Sequence, residues 1–504
     1  MKNSIAKDTI FLTVMQLVTQ VLSLVINIFI NNRLGTENLG LMSLINAFFT
    51  FAIIISNGNI FVSASRFVAE ERGKTDGNPG KIFFYSIIFS LILSSLSAAV
   101  VFISARPVSV RILHSAVCQK PIRMLAFALP AAAVSSCIKG YFNAYRKVVI
   151  PTVSETAAFL VRSFIMMISA GILIPQNRIT IYTALSVSII ISEFTSLCIL
   201  LFSLSKNHPE FNKNKTIGFP AYAAGLIPVM LNSYIPCILS TANDALVPYT
   251  LKQTGCSTAL ALSRYGLFEA VVLPVLFFPS MFISCLSTIL VPEISKQRAG
   301  GSTVQNIGLV NDVISATIIY SLYIVSIMSR FGNDIGILAG HDAYAGKMIA
   351  MLAPVVPFIY LEIILEGIIK GLGKHTFSSL NYLAEYIIRI SSLLISTHFA
   401  GCWGIAVSYY LSNIICNIAR IVLISKIYDI RPSFRQFLLK PSIAVIVSWQ
   451  CTSAAGNIAD LKYPGIIPEI IIYSAVSLLI YLAVLRFLDS PVSLWKMPAL
   501  SNNH

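Results

Sequence analysis

The sequence predicts an all-α, polytopic membrane protein of about fourteen spanning helices. These form two six-helix lobes in parallel pseudo-repeat, followed by two further C-terminal helices. Three observations predict it. Of the 504 residues, 56% are hydrophobic and only 11% charged, with a mean hydropathy of +0.79, whereas soluble domains carry roughly 25% charged residues. Apolar runs repeatedly reach the length that an α-helix needs to cross the hydrocarbon layer, about 18–20 residues. Finally, two stretches, Gly140 to Arg162 and Gly367 to Arg389, echo each other 227 positions apart (367 − 140).

Window length and Gly, Pro and charge punctuation place the segments at 10–32, 40–68, 82–104, 122–144, 150–174, 181–204, 219–247, 259–291, 306–329, 345–369, 377–398, 403–426, 437–457 and 467–488. The first has no small-residue cleavage site before the second, so it reads as a retained helix, not a signal peptide. The second, seventh and eighth run long and contain Pro or Gly. Ser56-Asn57-Gly58-Asn59 should break the second in mid-membrane, and Pro274 and Pro279 should break the eighth.

The 227-residue shift brings Gly140 onto Gly367, Ala144 onto Gly371, Lys147 onto Lys374 and Arg162 onto Arg389. The fourth and tenth segments are six apart, an even number, so the repeats share one orientation across the membrane. A looser echo closes the second and eighth segments with Val68-Ala69-Glu70 and Val291-Pro292-Glu293. The expected organisation is an N-lobe at 1–205, a cytoplasmic linker at 206–218, a C-lobe at 219–430 and a C-terminal pair at 431–504.

The net charge of +15 lies mostly between apolar segments, as positive cytoplasmic loops require; nucleic acid is not an expected partner. Placing the N-terminus inside puts about two thirds of the Lys and Arg on the cytoplasmic side. Both termini are then cytoplasmic. The exception is the outside loop holding Arg106, Arg111, Lys120 and Arg123. Nine Cys and six His show no CxxC and no cluster, so neither disulfides nor a metal site are expected.

Function is sought where polarity is expensive. The fifth segment carries Glu155 and Arg162 on one face, and the eleventh carries Glu385 and Arg389 at ion-pair spacing. The tenth carries Glu362, Glu366 and Lys370 as one stripe. In the eighth, Arg264 and Glu269 point to different faces, and the seventh contributes Asn232, Asn243 and Asp244. Neutral polar residues crowd the first two segments: Gln16, Gln20, Asn27 and Asn31 share one face, Arg33 stands at the outer mouth, and Asn57 and Asn59 flank the break. Amides can simply glue helices together; the alternative is a hydrated cavity. Gln16, Gln20, Asn27, Arg33, Asn57, Asn59, Asp244, Arg264, Glu269, Glu362 and Glu366 are the candidate cavity residues. Gly140, Glu155, Arg162, Gly367, Glu385 and Arg389 are candidate structural or hinge positions. No Walker A, GxSxG or HExxH motif occurs and no loop is long enough for a catalytic domain, so an enzyme is not expected.

The stretch Arg33-Leu34-Gly35-Thr36-Glu37-Asn38-Leu39-Gly40 resembles the RxxGxxxxG turn of the MOP exporter superfamily, and Leu290-Val291-Pro292-Glu293-Ile294-Ser295 resembles its LVPxIS ending. Lys139-Gly140-Tyr141-Phe142, followed by Pro151 and Arg162, and the Gly367 to Lys374 stretch complete the likeness. The chain is thus similar to MATE-like proteins, and within them to the stage V sporulation protein B and polysaccharide-transporter branch, with MurJ-type lipid II flippases as relatives. Where MurJ-type flippases are expected to carry arginines inside the first helix, this chain holds Gln20 and Ile26, which favours the sporulation-type branch. The resemblance implies a flippase moving a lipid-linked cell-wall, spore-cortex or polysaccharide precursor outward by alternating access. It needs no cofactor beyond coupling to the membrane potential, H+ or Na+. Its partners would be a lipid-linked oligosaccharide or related amphiphile, membrane lipids and wall-synthesis enzymes. Two alternatives stand beside it: a MATE-type cation-coupled drug or metabolite antiporter, and a membrane scaffold of a wall-synthesis complex.

Overall fold

The computed structural model describes residues 2–34, 36–74, 77–112, 115–172, 178–209, 218–299, 303–340, 342–428, 439–458 and 465–488. Among these the ordered elements are all helical. In chain order they are α1 (Lys2–Leu34), α2 (Thr36–Asn57), α3 (Ile60–Arg72), α4 (Pro79–Pro107), α5 (Gln119–Leu125), α6 (Ala128–Ala144), α7 (Val149–Ile172), α8 (Arg178–Lys206), α9 (Phe219–Gln253) and α10 (Thr258–Leu267). Then follow α11 (Leu273–Phe277), α12 (Met281–Ala299), α13 (Thr303–Gly340), α14 (Ala343–Leu352), α15 (Val356–Gly371), α16 (His375–Ala400), α17 (Gly404–Tyr428), α18 (Lys440–Ile458) and α19 (Ile466–Phe487).

Among the described residues, eleven segments are long and apolar enough to cross a membrane, or twelve if a bent pair counts as one span. The expected fourteen is not reached by this measure. One of the eleven, His375–Tyr428, is 54 residues long and contains both α16 and α17. Helix α18 is not among them. Many large apolar side chains point outward, such as Ile103, Phe399 and Phe487, as a protein dissolved in lipid allows.

Contacts divide the chain into two compact units, Met1–Ala270 and Val271–His504. That boundary falls in a π-turn, Phe268–Val272, and not in the expected 206–218 linker, most of which lies outside the described residues. Helices α9 and α10 therefore pack in the first unit. Gly40 of α2 lies so near α10 that an added Cβ would come 2.1 Å from the Leu262 carbonyl oxygen. Tyr222 of α9 stacks edge-on against Phe67 at 5.2 Å and shares a 2.6 Å hydrogen bond with Ser86. In the second unit, α18 and α19 pack on α13 through Tyr323, Ala444, Tyr481 and Leu485, and the Tyr481 hydroxyl donates to the Ile319 carbonyl at 3.0 Å.

The repeat reaches down to helix ends. A shift of 227 positions (367 − 140) superimposes α6 on α15, and α7 on α16, to within one residue at each end. The break between α5 and α6, where the chain bends by 41°, falls on the 3-10 turn Ala353–Val355 between α14 and α15. Pro354 cannot supply an amide hydrogen there, which accounts for the interruption in the second repeat.

Irregular turns fall near both expected breaks, although each segment remains one continuous span, Asn38–Arg72 and Thr258–Thr288. The second segment splits into α2 and α3 at Gly58 and Asn59, each with φ of 53°, a left-handed conformation that glycine and asparagine tolerate best. The eighth is interrupted twice, by the π-turn Phe268–Val272 just before Pro274 and by the 3-10 turn Phe278–Ser280 containing Pro279.

Candidate functional site

The densest polar constellation lies inside the second unit, where α15, α16 and α17 meet. Arg420 of α17, fully buried, donates from Nη2 to Glu362 at 3.1 Å and to Glu385 at 3.0 Å. Its Nε lies 3.8 Å from Glu366. Glu385 also receives Arg389 at 2.6 Å, the expected i,i+4 pair. Arg389 is clamped further: its Nε donates to Ser412 at 3.0 Å, and its guanidinium lies 4.5 Å from the Tyr409 ring and 5.3 Å from Tyr386. Glu366 accepts from Ser378 and pairs with Lys370 at 3.3 Å.

Three carboxylates thus meet two guanidiniums, and Lys370, half exposed, supplies the third positive charge at the edge. Side-chain exposure rises from 1–2% at Arg420 and Glu385 to about 20% at Glu362 and Glu366 and 49% at Lys370. Such a cluster is costly to bury, and is held only by close pairing and further hydrogen bonds. Glu362 and Glu385 converge on one guanidinium nitrogen, whose charge offsets their mutual repulsion. Among the described residues no group of three or more His, Cys, Asp or Glu is placed to hold a metal.

The first unit carries a sparser counterpart on α6, α7 and α8. Glu155 and Arg162, expected to act together, take partners from other helices: Lys139 reaches Glu155 at 3.1 Å, and Arg162 donates to Asn46 at 2.8 Å. Glu193 of α8 lies within electrostatic reach of both Lys139 and Arg162.

A third polar group surrounds the break in α2–α3. Asn57 donates to Ser136 at 3.0 Å, Asn59 donates to Ser233 of α9 at 2.6 Å, and the Tyr234 hydroxyl donates to the Ile55 carbonyl at 2.7 Å. Breaking the helix removes local amide partners from carbonyls in the preceding turn, and Tyr234 serves one of them.

The candidates therefore fall into separate groups. Glu362, Glu366, Glu385 and Arg389 come together. Asn57 and Asn59 line the break. Asp244 and Glu269 lie within electrostatic reach of each other, and Asn243 donates to Asp244 at 3.4 Å. Arg264 contacts Cys256 at 3.8 Å. Along α1, Gln16 is exposed, Gln20 and Asn27 are half-buried, and Asn31 is buried with its amide donating to the Ala270 carbonyl at 3.0 Å. The side chains of Arg33 and Asn232 lie outside the described residues. Gly140 and Gly367, expected as hinge positions, are sites of close helix approach. An added Cβ would come 2.6 Å from the Phe61 carbonyl oxygen and 2.3 Å from Ser287 Oγ, respectively.

Arg420 and Glu193 escaped the sequence reading, although the same 227-residue shift aligns them. Arg420 also completes a face on α17 with Asn413 and Asn417, at i, i+4 and i+7. That polar stripe was the available signal.

Residues 5–298 match the polysaccharide biosynthesis protein family. The chain belongs to that family. As a member it is 21% identical to "Stage V sporulation protein B" of Bacillus subtilis (strain 168) over 461 residues, covering 88% of each chain. It is 19% identical to "Sporulation protein YkvU" of the same organism, over 78% of this chain and 88% of that one. Among solved structures, "Lipid II flippase MurJ, inward closed conformation" superimposes with a TM-score of 0.72 at 14% identity, over 98% of this chain and 100% of the other. An inward-facing multidrug resistance MATE family transporter of the MOP superfamily gives 0.61 at 13% identity, over 83% and 98%. This family member therefore has the MurJ- and MATE-like fold and is a multi-pass membrane protein.

Proposed function

We propose that this protein is a flippase of the bacterial cytoplasmic membrane that moves a lipid-linked cell-wall precursor outward by alternating access. One observation carries the reading: spanning segments are interrupted at Gly58–Asn59 and at Phe278–Ser280, in the second and eighth segments that the repeat pairs. The 227-residue shift carries Gly58–Asn59 to 285–286, about two turns from Phe278–Ser280, so it is the segments that correspond, and interrupted segments at corresponding positions of two repeats are where transporters expose backbone to cargo. The MurJ-like fold over 98% of the chain supports a lipid-linked cargo, and the sporulation relatives support a peptidoglycan or spore-cortex precursor. Amides and hydroxyls at the break, Asn57, Asn59, Ser136 and Ser233, suit the hydroxyl-rich head of a sugar. In this reading both termini are cytoplasmic, and the second and eighth segments gate the path.

The experiment is exposure of lipid-linked sugar in proteoliposomes. The purified protein should bring the headgroup on the inner leaflet within reach of an external modifying enzyme. Headgroup exposure identical to protein-free vesicles would end the proposal. A second reading, a cation-coupled antiporter, draws on the buried carboxylates Glu362, Glu366 and Glu385. It requires that Glu362→Gln and Glu366→Gln abolish drug or metabolite efflux driven by an H+ or Na+ gradient; unaltered efflux would remove it.

A further inference from the structure

Between Asp76 and Glu155 the sequence contains no Asp or Glu. Yet the turn joining α4 to α5, at the end expected outside, is strongly basic. Arg106 closes α4, and Lys120 and Arg123 lie on α5; all three are exposed. Among the described residues, the ion pairs all involve other cations. Placing such charges on the outer side runs against the ordinary distribution of Lys and Arg around spanning helices. Something outside the chain should balance them.

The surroundings indicate what. Phe102 precedes Arg106 by one turn of α4, and Phe127 follows Arg123 by four residues, just past the bend between α5 and α6. Along the chain each aromatic thus stands about one helical turn from an arginine. The rings meet edge-on at 6.2 Å, and the Arg123 guanidinium lies 5.5 Å from the Phe102 ring. Phe127 is 64% exposed and neighbouring Ile103 is 77% exposed. Exposed aromatic and aliphatic side chains thus stand directly beside exposed cations. This pairing suits a membrane interface.

The second repeat keeps an exposed lysine, Lys347, where Lys120 stands, but differs around it. There α13 and α14 pack through glycines, and a Cβ on Gly336 would come 2.2 Å from the Gly346 amide nitrogen. The 227-residue shift puts Ser329 and Pro354 where Phe102 and Phe127 stand, and Ala350 where Arg123 stands.

We propose that the α4–α5 turn is a binding site for an anionic phospholipid of the outer leaflet. Its phosphate is held by Arg106, Lys120 and Arg123, and its acyl chains lie over Phe102, Phe127 and Ile103. Guanidiniums favour phosphate because they present several N–H donors in one plane. The site does not use the cargo-path residues, but its placement in the outer leaflet rests on the cytoplasmic termini of the proposed function.

The test is native mass spectrometry of the full-length protein taken from mixed phosphatidylglycerol and phosphatidylcholine, comparing wild type with Arg106→Gln/Arg123→Gln. Wild type should retain phosphatidylglycerol preferentially, and the variant should lose that preference by about tenfold or more, since each cation near an anionic lipid surface contributes appreciably. Retention of phosphatidylcholine should not change. Equal phosphatidylglycerol retention by both proteins overturns the proposal. So does its displacement by equimolar undecaprenyl pyrophosphate, which would assign the site to a lipid-linked cargo. Should the variant not fold, a photoreactive residue substituted for Phe127 in the otherwise native chain gives the same answer. It should crosslink phosphatidylglycerol over phosphatidylcholine, and indifference between the two overturns the proposal.

Discussion

The ionic groups of the two repeats occupy the same scaffold with different signs. Under the 227-residue shift Arg162 stays arginine at Arg389, but Lys139 becomes Glu366 and Glu193 becomes Arg420. The first-unit set is looser: Glu155 is 63% exposed, while Arg162 and Glu193 are half-buried and Arg162 donates to a neutral amide. The second-unit set is dry, with Arg420 and Glu385 at 1–2% and a third acid, Glu362, drawn in. Duplication has kept where charge sits and let its sign and burial change. A functional asymmetry between the halves is therefore built on side chains, over helices that still match end for end.

The largest expected effect separates the two sets by burial. Arg420→Gln should leave Glu362 and Glu385 without their shared partner and cost about 3–5 kcal/mol. Glu193→Gln, at the repeat-equivalent position, removes a half-buried acid near Lys139 and Arg162 and should cost less, about 1–2 kcal/mol. Thermal unfolding in detergent measures both, and equal losses would show that the two clusters are energetically alike. A double substitution, Arg420→Gln with Glu385→Gln, should recover part of the first loss, because a neutral pair leaves less charge stranded.

A middle-sized effect tests the shared scaffold. Gly140→Ala drives a methyl onto the Phe61 carbonyl, backbone that cannot swing aside, and should cost about 1–3 kcal/mol. Gly367→Ala meets the Ser287 hydroxyl, which can rotate at the loss of its 3.0 Å bond to the Ile363 carbonyl, so its cost should be smaller. The reverse order would mean that the second-repeat crossing is the tighter one.

The smallest effect lies at the break. Asn59→Gly removes the bond to Ser233 but keeps the left-handed backbone, for a loss of about 1 kcal/mol. Asn59→Ala loses the same bond and adds the left-handed penalty, roughly 1 kcal/mol more. If the two variants unfold together, the backbone of the broken segment has relaxed into ordinary helix.

What was legible in the sequence was local. The break at residues 56–59 followed from Asn-Gly chemistry, and the Glu385–Arg389 pair from i,i+4 spacing. Spacing with Asn413 and Asn417 marks the face of Arg420 but could not name its partners, which lie 35 and 58 residues away on other helices. Glu155 and Arg162 share a face as expected, yet α6 and α2 offer each of them a nearer partner, Lys139 and Asn46. Periodicity reports which side of a helix a residue occupies, but not what packs against that side. The number of spans was blurred for a similar reason. Helices α16 and α17 are separated by a single short turn, Gly401–Trp403, and α18 is too polar to stand out by hydropathy alone.

The acid-free basic turn between α4 and α5 bears on how the chain is made. In the proposed orientation its cations must leave the cytoplasm against a potential that is negative inside, at about 2.3 kcal/mol per charge for each 100 mV. Insertion of this hairpin is then expected to slow as the membrane is energised and to quicken when the potential is collapsed, the opposite of an acidic translocated loop. Helices α4 to α6 would be the stretch at which biogenesis pauses, and the later helices would find the first repeat still settling into place.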